Sequence, residues 1–133
     1  MKKYLDSNIF LYPLLYEDEK AKKCKDLLIK MANSEIECIT SFLTWDEVTY
    51  KIRRILGRDK SVIHGDLFLK MANLDIIAVD NKVIAKAQEI ITKFNIAPRD
   101  AIHFATALLN NCDSFVTDDS DFDKIKEIKI EKI

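Results

Sequence analysis

The sequence predicts an α/β protein, a three-layer α/β/α sandwich with a central, mainly parallel sheet. Short β-type runs alternate with longer segments of helical periodicity, and parallel neighbours need such crossover connections. The chain is 48% hydrophobic over 133 residues, which is enough to build a full core. Only 2 Gly and 2 Pro occur, too few for a flexible linker. We therefore predict one domain covering residues 1–133.

The strands are short runs that contain β-branched or aromatic residues and precede or follow helical segments. The predicted strands are residues 3–5, 37–41, 75–79, 114–117 and, with the weakest pattern, 128–133.

The helices are predicted where apolar residues recur every three or four positions. Gly57 is placed to end the third helix, and Pro98 suits the first turn of the sixth. The predicted helices are residues 8–15 (interrupted at Pro13), 19–32, 43–56, 59–74, 82–94 and 98–110, with a helical turn at 121–125. The predicted apolar stripe of the third helix is Trp45, Val48, Ile52, Ile55 and Leu56.

Composition excludes several classes of protein. The 21 Lys+Arg and 22 Asp+Glu nearly balance, so any contact with nucleic acid must be local. Three widely spaced cysteines without a CxxC pair fit neither a disulfide framework nor a zinc site, and indicate reduced thiols in the cytoplasm. The longest apolar stretch, residues 9–16, is too short to cross a bilayer, so we expect no membrane association. Phosphate-binding glycine loops and the GxSxG and HExxH motifs are missing.

Four acidic residues follow the predicted strands. Asp6 comes directly after the first strand and Asp119 just after the fourth, while Glu47 lies near the start of the helix that follows the second. Asp100 lies in the first turn of the helix that begins at Pro98. Because parallel strands end at one edge of a sheet, we expect all four acids to meet there.

A cluster of carboxylates has a chemical consequence. Two unit charges about 4 Å apart repel by roughly 4 kcal/mol at an effective dielectric near 20. Carboxylates without Cys or His partners suit a hard cation such as Mg²⁺ or Mn²⁺, which activates water for in-line attack on a phosphate. The sequence therefore predicts a divalent metal site.

Four ordered motifs resemble those of the PIN-domain family. They are residues 4–8 (YLDSN), 41–47 (SFLTWDE), 98–100 (PRD, followed by Ala101, Ala105 and Ala107) and 115–122 (FVTDDSDF). The resemblance is greatest to the stand-alone VapC-type toxins. It implies a Mg²⁺- or Mn²⁺-dependent endoribonuclease that cleaves RNA, forms a homodimer and pairs with a cognate antitoxin protein.

The resemblance also implies a role for each site residue. The expected catalytic and metal-binding acids are Asp6, Glu47, Asp100 and Asp119, with Asp121 and Asp118 as further candidates in the last motif. The expected supports of the cluster are Asn8 and Thr117.

Each acid also has a simpler explanation. Asp6 suits the N-cap of the next helix, and Asp119 could cap the turn near residue 121. Glu47 could pair with Lys51 four residues later, and the helix dipole favours Asp100 in a first turn. The order and shared edge of all four acids favour the metal site.

Two other polar residues are predicted to lie outside the site. Asp80 precedes a clear helix and is interpreted as its cap. His103 follows Asp100 by one helical turn, but a lone histidine on an apolar helix is more typical of the core, and we predict it there.

A polar stripe on the third helix predicts where substrate binds. Its members recur every three or four residues: Thr44, Glu47, Lys51, Arg54 and Arg58. We expect Lys51, Arg54 and Arg58 to contact the RNA backbone. The first helix has an apolar surplus that could form a dimer contact, made of Ile9, Phe10, Leu11, Tyr12, Leu14, Leu15 and Tyr16.

Two other functions remain open at this stage. The chain could be a non-catalytic PIN-fold module that binds RNA or protein, in which case Asp6→Asn would leave its activity intact. It could instead be a metal-dependent DNA or flap nuclease, which a comparison of single-stranded RNA and DNA would reveal.

Overall fold

The computed structural model describes residues 1–133 and contains one five-stranded sheet in the order β3-β2-β1-β4-β5. All neighbouring strands are parallel, which confirms the predicted fold class. The strands are β1 Lys2–Leu5, β2 Glu37–Ser41, β3 Leu74–Ile77, β4 Ser114–Thr117 and β5 Lys129–Lys132. In the centre of the sheet, Tyr4 pairs with Ile39 on one side and Phe115 on the other.

Six helices connect the strands. They are α1 Ser7–Leu15, α2 Glu19–Ala32, α3 Phe42–Leu56, α4 Arg58–Leu69, α5 Asn81–Lys93 and α6 Pro98–Leu109, with a 3₁₀ turn at Ser120–Phe122. No helix combines the length and the apolar character that crossing a lipid bilayer would require.

Local sequence explains how several helices begin and end. The Asp80 carboxylate accepts a hydrogen bond from the backbone N–H of Val83 at 3.0 Å, so the predicted cap is confirmed. Asp18 caps α2 in the same way through Ala21. Gly57 ends α3 with φ of 95°, a conformation that glycine adopts without a steric penalty.

The core lies on both faces of the sheet because side chains alternate along each strand. Tyr4 and Phe115 point to the α5 and α6 side, where their rings stack with centroids 4.9 Å apart. Leu5 and Val116, the next residue in each strand, pack on the other side with α1 and α3. Neighbouring residues of β1 and β4 therefore belong to different halves of the core.

Two details differ from the prediction. The fourth helix ends at Leu69 rather than residue 74. Its C-cap is Lys70, a turn with Asn73 at φ of 61° follows, and Leu74 begins β3. The stripe on α3 is narrower than predicted. Its buried side chains are Thr44, Val48 and Ile52, at a spacing of four, whereas Trp45, Ile55 and Leu56 are exposed.

The apolar surplus of α1 is also smaller than expected. Ile9, Phe10 and Leu11 are buried in the chain's own core, and only Leu14 and Tyr16 remain clearly exposed. The helix packs against α2 and α3, which uses most of its apolar face. The composition of α1 therefore does not argue for a dimer.

Candidate functional site

Asp6 lies at the end of β1 and is held by three contacts. Its backbone N–H donates to the carbonyl of Val116 at 3.0 Å. One carboxylate oxygen accepts from the N–H of Ser7 at 2.8 Å and the other from the hydroxyl of Thr117 at 2.7 Å. The side chain thus caps α1 and also points to the edge where β1 and β4 end. Asp6 is therefore both a helix cap and a member of the acidic cluster.

Glu47 projects from the second turn of α3 and contacts His103. Its Oε1 lies 2.5 Å from His103 Nε2, and His103 Nδ1 lies 2.6 Å from the Tyr4 hydroxyl. His103 Nε2 is also 3.8 Å from Asp6 Oδ1. Glu47 forms no ion pair with Lys51. Its carboxylate is bound instead by the buried imidazole of His103.

The acids on the other side of the site are Asp100, Asp119 and Asp121, each with an oxygen within 4.8 Å of the others. Asp119 accepts a hydrogen bond from the N–H of Asp121 at 2.8 Å and so caps the 3₁₀ turn, as the simpler explanation required. The N–H of Asp119 donates to the hydroxyl of Thr117, which also binds Asp6. Thr117 therefore joins the two sides.

Asp6, Glu47 and His103 form the second set, again with ligand atoms within 4.8 Å of one another. These two sets together form the site. All four acids predicted from the strand ends lie in it.

The carboxylates resist ionisation together. Burial, and to a smaller extent the charge of Glu47, raises the pKa of Asp6. Burial and then the charges of Asp119 and Asp6 raise the pKa of Asp100 to about 6. Burial opposes protonation of His103, but the hydrogen bond to Glu47 and the surrounding carboxylates outweigh it and raise its pKa. Ionising these carboxylates together is therefore unfavourable in the protein alone, and a bound cation would offset that cost.

Asp118 lies outside the site, unlike its neighbour Asp119. Its carboxylate accepts hydrogen bonds from the Tyr12 hydroxyl at 2.7 Å and from Lys20 Nζ at 3.0 Å. These contacts lower its pKa, the Tyr12 hydrogen bond most of all. Of the two further candidates in the last motif, the fold brings only Asp121 to the other acids.

The predicted polar stripe is not continuous. Thr44 is fully buried and shares a hydrogen bond with Thr40, because its position on α3 faces the sheet. Arg58 belongs to α4, since Gly57 ends α3, and it pairs with Asp59 at the surface. Lys51 borders a groove beside Glu47. Arg54 is exposed and is not part of that groove.

His103 was correctly predicted to be buried, but its link to the site was missed. It is 1% exposed and lies one helical turn after Asp100, on the same face of α6. That spacing was the available signal. Its pairing with Glu47, 56 residues away in the chain, depends on the packing of α3 against α6.

The donor atoms fit a hard divalent cation. Five carboxylates supply oxygen ligands in the two sets. The side-chain oxygen of Asn8, two residues after Asp6, is buried without a hydrogen-bond partner and lines the same groove as Glu47. Both ring nitrogens of His103 are hydrogen-bonded, one to Tyr4 and the other to Glu47. The imidazole therefore orients the Glu47 carboxylate and leaves no free nitrogen to bind a metal.

Fold and site together define a class of protein: a parallel α/β/α sandwich with a carboxylate cluster where its central strands end. Residues 3–128 match the family model of the PIN domain, and the chain belongs to the PIN domain family.

One relative and two solved structures match nearly the whole chain. The Ribonuclease VapC6 of Methanocaldococcus jannaschii is 28% identical over 150 residues, covering 97% of this chain and 95% of that protein. The structure of VapBC2 from Rickettsia felis, bound to a DNA fragment from its promoter, matches with a TM-score of 0.77 and 20% identity, covering 99% and 98% of the two chains. Mycobacterium tuberculosis VapC20, a toxin that cleaves the sarcin-ricin loop, matches with a TM-score of 0.76 and 15% identity, covering 95% and 98%. The two structural similarities establish the fold alone.

Proposed function

We propose that residues 1–133 form one nuclease domain, an endoribonuclease that hydrolyses RNA phosphodiester bonds with Mg²⁺ or Mn²⁺. The observation that carries the proposal is the convergence of Asp6, Glu47, Asp100 and Asp119, with Asp121, at one edge of the sheet. Acids held this close favour a bound cation, and cation-bound carboxylates are suited to phosphodiester hydrolysis.

The carboxylates of the site would supply the ligands of the cation. Asp6, Glu47, Asp100 and Asp119 hold the cation, and Asp121 adds a further oxygen beside Asp100 and Asp119. When bound, the cation compensates the negative charge and lowers the pKa of a water molecule for in-line attack on the phosphate.

The supporting contacts keep the carboxylates in place before substrate arrives. Thr117 donates to Asp6, and His103 donates to Glu47 while its other nitrogen contacts Tyr4. Such hydrogen bonds orient the ligand oxygens and reduce the reorganisation that binding requires. Asn8 is the remaining polar support, through its unpartnered buried oxygen.

We further propose that the chain is the toxin of a toxin–antitoxin pair acting in the cytoplasm. The VapC6 relative bears the name ribonuclease, and several structures of the same fold are toxin–antitoxin complexes. The three free cysteines suit a reducing compartment.

A partner surface supports that proposal. Eight large apolar side chains on α3 and α4 that lie outside the groove beside Glu47 are at least 41% exposed: Phe42, Trp45, Ile55, Leu56, Val62, Ile63, Leu67 and Leu69. Apolar surface of this extent is typical of protein contacts. We propose that it is covered by the antitoxin or by the second subunit of a homodimer.

The deciding experiment is cleavage of structured and unstructured RNA by the wild type and Asp100→Asn in Mg²⁺, Mn²⁺ and EDTA. We expect cleavage only by the wild type and only with metal. Equal cleavage in EDTA would reject the metal mechanism. A single-stranded DNA of the same sequence, cut as fast as the RNA, would make the chain a general nuclease. No cleavage of any substrate, with RNA binding intact in Asp6→Asn, would make it a binding module.

The basic residues of α3 and the following turn are the proposed contacts to the RNA backbone. Lys51 is next to the site, and Arg54 and Arg58 are exposed further along. If Arg54→Glu and Arg58→Glu change neither the cleavage rate nor the affinity for RNA, these two arginines have no role in binding.

A further inference from the structure

A groove of about 620 Å³ runs between α1 and α3 and opens beside Glu47. The α1 wall is apolar and aromatic and includes Leu11, Leu15 and Tyr16. Across the groove, α3 presents Tyr50 one helical turn beyond Glu47. The groove therefore begins at the carboxylates and continues between aromatic side chains.

Tyr16 and Tyr50 are unusually accessible for lining residues. They are 48% and 63% exposed, respectively. Tyr12, between Tyr16 and the site, is fixed instead, since its hydroxyl binds Asp118 and its ring meets that of Tyr16 edge-on with centroids 5.5 Å apart. The Tyr12 ring thus packs against the Tyr16 ring, and about half of the Tyr16 side chain remains exposed.

Two cations border the same groove, Lys51 from α3 and Arg99 from the start of α6. Lys51 takes part in none of the ion pairs of the structure. Arg99 lies 3.9 Å from Asp46, with both side chains more than half exposed. Such a loose surface pair contributes little, so Arg99 is free to contact an anion instead.

This combination suits one kind of occupant. Accessible aromatic rings stack on the faces of unpaired bases whatever their sequence, while lysine and arginine contact the phosphates. A duplex hides its base faces. An acidic polypeptide would pair with the two cations but has no unpaired bases to stack on the exposed tyrosines. Charge and aromatic character thus favour a single nucleic-acid strand.

We propose that the α1–α3 groove is a subsite for unpaired nucleotides of the RNA next to the cleaved phosphate. Tyr16 and Tyr50 stack on bases, and Lys51 and Arg99 contact the backbone. The proposal rests on the ribonuclease function proposed above and adds that the substrate is single-stranded at this position.

The test measures binding separately from cleavage. An unpaired oligoribonucleotide that contains 2-aminopurine is titrated into Asp100→Asn protein, and stacking is read as fluorescence quenching. We expect Tyr16→Leu and Tyr50→Leu each to weaken binding about 10-fold and to reduce the quenching. Tyr50→Phe should retain both, because its ring remains. Annealing the oligonucleotide into a duplex should abolish the quenching.

A matched control is Phe42→Leu, which removes an exposed aromatic ring from α3 outside the groove. It should bind as tightly as the parent protein. Lys51→Gln and Arg99→Gln should each reduce the slope of log affinity against log salt concentration by about the amount that one phosphate contact contributes.

Wild-type affinity and quenching in both Tyr16→Leu and Tyr50→Leu would overturn the subsite and leave the groove to a polypeptide partner. The subsite would also be overturned if Phe42→Leu lost as much affinity as Tyr16→Leu and Tyr50→Leu. Failure of the ribonuclease proposal looks different: wild type would cleave nothing in Mg²⁺ or Mn²⁺, whatever the tyrosine variants do in the binding assay.

Discussion

Several single residues of the site satisfy two demands at once. Asp6 caps α1 and faces the other acids, and Asp119 caps a 3₁₀ turn in the same way. Thr117 has one hydroxyl that donates to Asp6 and accepts from the N–H of Asp119. Replacing Asp6 or Asp119 changes local backbone contacts as well as charge, so the most informative substitutions are those with few backbone contacts.

Asp100→Asn is such a substitution, and we expect it to stabilise the metal-free protein. In the fold the pKa of Asp100 rises to about 6, above its value in the unfolded chain. Ionisation is thus disfavoured in the folded state, and the free energy of unfolding falls as pH rises from about 4 to 6. At pH 8 in EDTA the variant should gain about 1 kcal/mol, discounted because the group is partly solvated.

The measurement is thermal unfolding with and without Mn²⁺. Metal should raise the Tm of the wild type more than that of Asp100→Asn, because a ligand stabilises the state that binds it. Asp75→Asn, which alters an exposed acid on β3, should leave both values unchanged. A variant that is less stable in EDTA and equally responsive to Mn²⁺ would contradict the role of Asp100.

Tyr4→Phe tests whether the buried chain from Tyr4 through His103 positions Glu47. The change removes one hydroxyl and keeps the ring that stacks on Phe115. We expect about 10-fold weaker Mn²⁺ binding by calorimetry, as for other groups that orient metal ligands. Tyr12→Phe removes a hydroxyl bound to Asp118, outside the site, and should not alter Mn²⁺ binding. Equal affinities in both variants would leave the Tyr4 hydroxyl a purely structural role.

At the scale of helices and strands, local sequence predicted most of the chain. The capping residue Asp80, the glycine that ends α3 and the proline that begins α6 each mark a helix boundary by a local mechanism. The end of α4 was missed because no glycine or proline marks its C-cap, Lys70. The burial of α3 was overestimated because only packing decides which of its apolar side chains meet the sheet.

Helices α3 and α4 pack closely against each other at Gly65. A Cβ there would lie 2.8 Å from Thr49 Cγ2 and 3.3 Å from Trp45 Nε1. We therefore expect Gly65→Ala to lower the free energy of unfolding by about 1–2 kcal/mol, measured by urea denaturation, although alanine favours helix.

Thr49→Ser provides the matched test of that contact. It removes the Cγ2 methyl group and keeps a hydroxyl able to bind the carbonyl of Trp45. In this background Gly65→Ala should cost much less, so the two changes should couple in a double-mutant cycle. Additive effects would mean that the clash is relieved elsewhere.

At the scale of the whole molecule, the parallel topology explains why the site could be predicted in part. All strands end at one edge, so acids after β1, β2 and β4 had to approach one another. The same reasoning could not pair Glu47 with His103 or place Arg99 beside Lys51, since those contacts depend on how helices pack over the sheet.

The three cysteines lie in both halves of the core, so the reactivity of their thiols can be used to probe each half. Cys24 and Cys38 pack on the α1 and α3 side, and Cys112 packs against the α5 and α6 side. Burial raises the pKa of all three thiols to about 11, so thiolate is scarce in the folded protein at pH 8. We expect slow alkylation of every cysteine in the native state and rapid alkylation of all three in urea, measured by mass spectrometry. Rapid modification of one thiol in the native state would show that its half of the core opens separately.

The central position of β1 has a consequence for how the protein is made. Of the five strands, β1 is synthesised first, whereas its partner β4 and the threonine that holds Asp6 follow 111 residues later. A nascent chain therefore has the first acid long before it has Asp100 and Asp119. The set of five carboxylates is therefore incomplete until Asp121 has been synthesised, and a chain that terminates before Asp100 lacks three of the five.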